Sequence, residues 1–109
     1  MNIEVSDRPI ILVADDEHLL RAVLCDILRD HSFHVISAAS GEEARGYLSK
    51  LAQIDLLFID IKSVGKEGVE LAEWARHHHP DVPVLVATGF ASKRRFQHIA
   101  AIEIIRKPL

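Results

Sequence analysis

The sequence predicts an α/β fold with a doubly wound parallel sheet. Short apolar runs alternate with longer amphipathic segments along its 109 residues, with no internal repeat, low-complexity tract or linker between them. Strands that alternate with helices favour parallel pairing with helices on both faces. The runs are continuously apolar, as strands buried on both faces are. Right-handed crossovers leave few topologies, and the doubly wound sheet is the natural one.

The first half of the chain predicts two strands, each followed by a helix. Ile10–Ala14 is an apolar run that predicts the first strand. Glu17–Asp30 has the i, i+3, i+4, i+7 spacing of a helix with one buried stripe. The residues of that stripe are Leu19, Leu20, Val23, Leu24, Ile27 and Leu28. Phe33–Ala38 predicts a second strand at the sheet edge. Ser40 and Glu43 have the capping-box spacing that begins a second helix.

The second half of the chain predicts three strands and two helices. Asp55–Asp60 is a short apolar run that ends in a carboxylate, and it predicts the third strand. Glu67–His78 is an amphipathic segment stopped by a proline, which predicts the third helix. Val82–Ala87 predicts the fourth strand, Ser92–Ala100 a short fourth helix and Ile102–Ile105 the fifth strand.

Composition indicates one globular domain. Apolar residues make up 49% and charged residues 27%, which excludes a disordered chain. The net charge of −3 gives no electrostatic reason to expect nucleic acid or an anionic membrane as partner. The single Cys25 excludes an internal disulfide, and no secretory signal or membrane span is visible. We therefore expect a cytoplasmic domain over residues 10–109, preceded by an N-terminal extension over residues 1–9.

Polar residues follow four of the predicted strands, at the edge where doubly wound sheets bind ligands. Asp15 and Asp16 follow the first strand, Asp60 closes the third, Thr88 follows the fourth and Lys107 follows the fifth. Each has an ordinary alternative role as a helix cap, a turn residue or a solvated charge. The pattern is informative because all five coincide at one edge.

These residue types suit phosphoryl transfer. Two carboxylates about 4 Å apart repel by roughly 4 kcal/mol at an effective dielectric near 20, so three of them need a cation or protons. Mg²⁺ prefers hard oxygen ligands and leaves room for phosphate oxygens. Lys107 adds a compact positive charge, and an aspartate can attack phosphorus to form an aspartyl phosphate. Positioning and charge neutralisation are what this reaction mainly needs.

As an ordered set, these motifs resemble the receiver domain of two-component response regulators. The matching segments are LVADDE at 12–17, LLFID at 56–60, VLVATG at 84–89 and RKP at 106–108. The resemblance runs from about Ile10 to the end of the chain. It implies a CheY-like five-stranded parallel sheet in the order 2-1-3-4-5.

The resemblance also implies a role for each site residue. Asp60 would be the phosphoacceptor, and Asp15, Asp16 and Asp60 would hold Mg²⁺ (or Mn²⁺) together with the main-chain carbonyl of Lys62. Thr88 and Lys107 would bind the phosphoryl group. The donor would be a histidine kinase or a histidine phosphotransfer protein, and the signal would pass through protein contacts. Such a domain is not a conventional turnover enzyme.

The chain departs from the family pattern at three places. Ile104 stands where the family often has an aromatic residue, and Val64 where it often has a proline. The family normally continues into a fifth helix, whereas this chain stops at Leu109. We expect that the missing helix leaves apolar sheet surface bare, to be covered by a homodimer contact or by further chain. The stretch Thr88–Phe90 is similar to a receiver subgroup with a TGY/TGF signature.

Two other functions compete with this one. The first is a binding domain that uses a receiver scaffold without phosphorylation, which the presence of all five site residues argues against. The second is a haloacid-dehalogenase-type phosphohydrolase, which also uses an aspartate nucleophile. That class places the nucleophile after the first strand and adds an acidic pair after the lysine, and this chain ends before such a pair.

Overall fold

The computed structural model describes residues 8–51, 53–60, 66–88 and 102–106. These residues form β1 (Ile10–Asp15), α1 (His18–Asp30), β2 (His34–Ala38), α2 (Gly41–Lys50), β3 (Leu56–Asp60), α3 (Lys66–His78), β4 (Val84–Thr88) and β5 (Ile102–Arg106). The strands pair in parallel in the order β2-β1-β3-β4-β5. The doubly wound fold and the strand order are therefore confirmed. The helix predicted over Ser92–Ala100 lies outside the described residues.

The ends of the elements follow local chemistry. Strand β4 begins at Val84 rather than at Val82, because Pro83 lacks the N–H that a ladder position needs. The amide of Val82 instead donates to the carbonyl of His79 at 3.0 Å and closes a turn after α3. Helix α1 begins at His18, with Glu17 as its N-cap residue. Within the part of the chain that the structure describes, no helix is long and apolar enough to cross a membrane.

The start of α2 is capped from two directions. The Ser40 hydroxyl accepts a hydrogen bond from the Glu43 amide at 3.1 Å, which confirms the predicted cap. The Glu43 carboxylate reaches back to the amide of Ala39 at 2.6 Å, one residue further than a standard capping box. From α3, the Glu67 carboxylate accepts from the Gly41 amide at 2.9 Å. Three amides at this end of the helix are thus paired by side chains.

The core divides into two clusters, one on each face of the sheet. The first lies under α2 and α3, and its buried residues are Leu12, Ala14, Ala38, Ala44, Leu48, Ile54, Leu57, Ile59, Leu71, Ala72, Ala75, Val84 and Val86. The second lies under α1, and its buried residues are Ile11, Val13, Cys25, Phe58 and Ala87. Alternate residues of β1 and β3 belong to opposite clusters, as the pleat requires.

The expectation of one buried stripe on α1 was wrong in part. Four residues of the predicted buried stripe are exposed: Leu19 (73%), Leu20 (43%), Val23 (55%) and Ile27 (49%). Helix α1 packs against the sheet through Leu24, Cys25 and Leu28, so the apolar face of the helix is wider than the surface that contacts the sheet. Of the strand residues on this face, Ile11, Val13, Phe58 and Ala87 are buried, whereas Val35, Leu56 and Leu85 are only partly buried. Among the described residues of this face, the most exposed large apolar side chains lie on the helix.

Candidate functional site

The carboxyl ends of the parallel strands bring two acidic residues together. Asp15 is the last residue of β1, Asp60 is the last residue of β3, and the two are Cα partners in the ladder. Neighbouring strands lie about 4.8 Å apart, and residues paired in this way project to the same face. The structure thus places side by side two of the three carboxylates that the sequence singled out, and Asp16 follows Asp15 directly.

Both paired carboxylates are buried. Asp15 is 1% exposed and Asp60 is 8% exposed, whereas Asp16 is half-buried just beyond the strand. Asp15 Oδ2 and Asp60 Oδ1 are shielded from solvent. Two carboxylates buried side by side repel each other, and a bound cation would offset that repulsion. This arrangement is therefore chemically suited to a cation.

Asp15 is fixed by its own loop and by α1. Its Oδ1 accepts a hydrogen bond from the Glu17 amide at 2.9 Å. Its main-chain carbonyl accepts from Nη1 of Arg21 at 2.9 Å, and Nη2 of the same side chain lies 3.2 Å from Nδ1 of His18. Arg21 was not among the residues singled out from the sequence, because a basic residue on an amphipathic helix carries no sign of which carbonyl it will reach.

The donor set fits Mg²⁺ better than a metal that needs a closed cage. Across residues 8–51, 53–60, 66–88 and 102–106, no three His, Cys, Asp or Glu side chains are grouped to hold a metal ion. Mg²⁺ does not need such a group, since it commonly binds through one or two carboxylates and keeps several waters or substrate oxygens. Asp15 and Asp60 supply the two buried carboxylates, and Asp16 directly follows Asp15 in the chain.

The remaining predicted site residues are described only in part. Thr88 ends β4, and its Cα partner on β5 is Arg106, the residue that precedes Lys107. The Thr88 side chain, Lys107 and Lys62 lie outside what the structure describes, as do Val64 and the rest of the TGF stretch. Ile104, at the position where the family often has an aromatic residue, pairs with Val86 and packs against the first core cluster.

A groove of about 220 Å³ adjoins the acidic edge between α1 and β2. It is lined by His18, Arg21, Ala22, Cys25, Asp26, Arg29 and Ser37. Burial raises the pKa of the Cys25 thiol, and the nearby Arg29 and Arg21 guanidinium groups only partly oppose this. None of the three aspartates lines the groove, so the groove is a neighbour of the acidic edge and not part of it.

The fold, with its acidic edge at the carboxyl ends of β1 and β3, defines a class, namely CheY-like α/β domains. Within that class the chain belongs to the response regulator receiver domain family, whose model matches residues 11–109.

Relatives and a solved structure agree with this assignment. The chain is 34% identical to the nitrogen assimilation regulatory protein NtrX of Azorhizobium caulinodans over 83 residues, which cover 72% of the chain and 18% of NtrX. It is 26% identical to the transcriptional regulatory protein PdtaR of Mycobacterium tuberculosis over 101 residues, 90% of the chain and 49% of PdtaR. The chain thus spans less than half of these two proteins. The response regulator TrrA of Thermotoga maritima, solved in complex with Mg(2+)-BeF, superposes with a TM-score of 0.78 at 30% identity, over 91% of this chain and 86% of TrrA.

Proposed function

We propose that this chain is a phosphoacceptor module that takes a phosphoryl group onto Asp60 from a histidine kinase or a histidine phosphotransfer protein. The observation that carries the proposal is the pairing of two buried carboxylates, Asp15 and Asp60, at the carboxyl ends of adjacent parallel strands. Two carboxylates buried side by side repel each other, so a purely structural role does not account for the pair. A site that binds a cation and a phosphoryl group uses both.

The reaction on Asp60 is a direct transfer. A carboxylate oxygen of Asp60 attacks phosphorus, the new O–P bond forms as the N–P bond to the donor histidine breaks, and the histidine nitrogen keeps the electron pair and takes up a proton. Bound Mg²⁺ (or Mn²⁺) supplies positive charge against the phosphoryl oxygens. Asp15, Asp16, Asp60 and the Lys62 carbonyl are the groups that would hold it.

Two further side chains complete the proposed site. The hydroxyl of Thr88 would donate a hydrogen bond to one phosphoryl oxygen, and the ammonium of Lys107 would pair with another. Thr88 closes the strand next to β3, which supports this assignment, since β4 is the neighbour of the strand that carries Asp60. Neither residue forms a covalent bond in the proposed step.

The output of this module would be protein contact and not catalytic turnover. Helix α1 carries an exposed apolar strip, formed by Leu19, Leu20, Val23 and Ile27. Such a strip supports docking of a protein partner, and a homodimer through the same face is one form that sedimentation would detect. We propose a cytoplasmic location for this module, with no nucleic-acid or membrane partner, as the sequence predicts.

The test is phosphorylation by a small-molecule donor. The protein is incubated with acetyl phosphate and Mg²⁺ and its intact mass is measured. We expect a gain of one phosphoryl group in the wild type and none in Asp60→Asn. Asp55→Asn is the matched control, because Asp55 directly precedes the opposite end of the strand that carries Asp60, where its carboxylate accepts a hydrogen bond from the Ile10 amide at 2.8 Å. It should be phosphorylated like the wild type.

The other outcomes distinguish the competing functions. No gain in the wild type would favour the binding domain that acts without phosphorylation. An undiminished gain in Asp60→Asn would show that another residue accepts the group. Steady release of phosphate from small phosphate esters would favour the phosphohydrolase. Each of these results contradicts the proposal.

A further inference from the structure

Arg21 links α1 to the acidic edge through the main chain. It lies in the first turns of α1, where its own amide donates to the Glu17 carbonyl at 2.9 Å. Its guanidinium turns back toward the sheet, with Nη1 at 2.9 Å from the Asp15 carbonyl oxygen and Nη2 at 3.2 Å from Nδ1 of His18. The fork therefore contacts the last residue of β1 and the first residue of α1 at once.

The carbonyl that Arg21 contacts belongs to the peptide between Asp15 and Asp16. The orientation of that peptide sets the direction in which the chain leaves β1, and so the placement of the Asp16 side chain relative to Asp15. The β2 ladder does not extend to this position, since the last pair between β1 and β2 joins Ala14 to Ala38. Arg21 occupies the β2 side of the strand end just beyond that pair.

Arg29 provides an internal comparison on the same helix. Its Nη2 donates to the carbonyl of Val35 on β2 at 3.2 Å, so it too ties α1 to a strand carbonyl. Val35 pairs with Ile11, four residues before Asp15 on β1 and well away from the acidic edge. Both arginines also line the groove beside Cys25. The two differ in whether the strand carbonyl belongs to a site residue, and Nη1 of Arg29 also lies 4.0 Å from Asp26 Oδ1 on its own helix.

We infer that Arg21 is a positioning residue for the proposed cation site, holding the Asp15–Asp16 peptide so that both carboxylates address one ion. The inference rests on the proposed function, since it presumes a cation at Asp15, Asp16 and Asp60. Groups that orient metal ligands from outside the coordination shell commonly change metal affinity by about 10–100-fold when they are removed.

The sign of the effect separates positioning from simple charge. A guanidinium close to the acidic edge repels a cation, so on Coulombic grounds its removal should strengthen Mg²⁺ binding. Loss of the hydrogen bond to the Asp15 carbonyl frees the peptide and should weaken Mg²⁺ binding. Positioning and charge thus predict opposite changes for the same substitution.

The experiment measures Mg²⁺ binding alone, by calorimetric titration of the unphosphorylated protein with MgCl₂. Arg21→Met removes the donors and the charge while keeping most of the stem, and Arg29→Met is the matched control. We expect Arg21→Met to weaken Mg²⁺ binding about tenfold and Arg29→Met to leave it within about twofold of the wild type. Arg21→Lys retains a hydrogen-bond donor group and the positive charge, and it should recover most of the affinity. Thermal unfolding of each variant shows whether it is folded.

The outcomes are separable from those of the proposed function. If the wild type binds Mg²⁺ and Arg21→Met binds it equally or more tightly, the inference is overturned while the phosphoacceptor proposal stands. The same holds if Arg29→Met loses as much affinity as Arg21→Met, since both effects would then be structural. If Arg21→Met does not fold, Arg21→Lys is the deciding variant. The inference then requires that Arg21→Lys bind Mg²⁺ more weakly than the wild type and Arg29→Met do, by less than about tenfold. A wild type that binds no Mg²⁺ would contradict both the role of Arg21 and the proposed phosphoacceptor function.

Discussion

The two faces of the sheet differ in how completely the helices on them bury their apolar residues. On one face, α2 and α3 bury a cluster that includes Leu57, Ile59 and Leu71, and the two helices are joined by the Glu67–Gly41 hydrogen bond. On the other face, α1 contacts the sheet around Cys25, while four apolar residues of the same helix remain exposed. The first face is where we expect most of the folding free energy, whereas the second holds Arg21 and the surface open to partners.

The largest expected effect lies in the closed face. Leu71 is 1% exposed and packs in the centre of the first cluster, so Leu71→Ala leaves a cavity as well as losing transfer free energy. We expect it to lower the free energy of unfolding by about 2–5 kcal/mol, measured by urea denaturation. A loss below about 1 kcal/mol would mean that this face is less tightly packed than the burial indicates.

The link between α2 and α3 should contribute less, but measurably. Glu67→Ala leaves the Gly41 amide without its acceptor and removes a negative charge from the start of α2. We expect a loss of about 1–2 kcal/mol. Glu70→Ala, at an exposed position one turn later on α3, is the control and should change stability by less than about 0.5 kcal/mol. Equal losses in the two variants would show that the cross-helix bond adds nothing.

The pKa of Cys25 gives the α1 face a pH dependence. Burial raises that pKa, so the neutral thiol is favoured in the folded state relative to the unfolded chain. The stability that the buried neutral thiol contributes is fully present below the pKa that the thiol has in the unfolded chain. It is lost as the pH rises through the higher pKa of the thiol in the folded state. The wild type should therefore lose stability more steeply than Cys25→Ala in alkaline solution, as measured by urea denaturation at a series of pH values. Parallel curves would contradict this.

The smallest expected effect lies on the outer strip of α1. Ile27 is 49% exposed, so Ile27→Ser removes little buried area. We expect a change within about 0.5 kcal/mol, against several kcal/mol for the core leucine on the other face. If Ile27→Ser destabilised the protein as strongly as Leu71→Ala, the strip would be buried in solution, and a dependence of stability on protein concentration would identify a second copy as the cover.

The sequence was sufficient for the fold and for the position of the acidic edge, for a common reason. Continuous apolar runs, capping residues and the placement of Asp15 and Asp60 at strand ends are local signals, and parallel topology turns strand ends into a shared edge. It was insufficient for packing between elements. Hydrophobic periodicity could not show that α1 contacts the sheet through Leu24, Cys25 and Leu28 and not through the whole arc. Nor could it show which carbonyl Arg21 reaches, because that depends on the angle at which the helix crosses the strand.

The most direct test of the central claim is to locate the phosphoryl group. The protein is treated with acetyl phosphate and Mg²⁺, the acyl phosphate is reduced with borohydride to leave homoserine in place of the phosphorylated aspartate, and the peptides are mapped by mass spectrometry. The account predicts homoserine at position 60 and intact aspartate at positions 15, 16 and 55. Homoserine at position 15 or 16, or at no position, would contradict it.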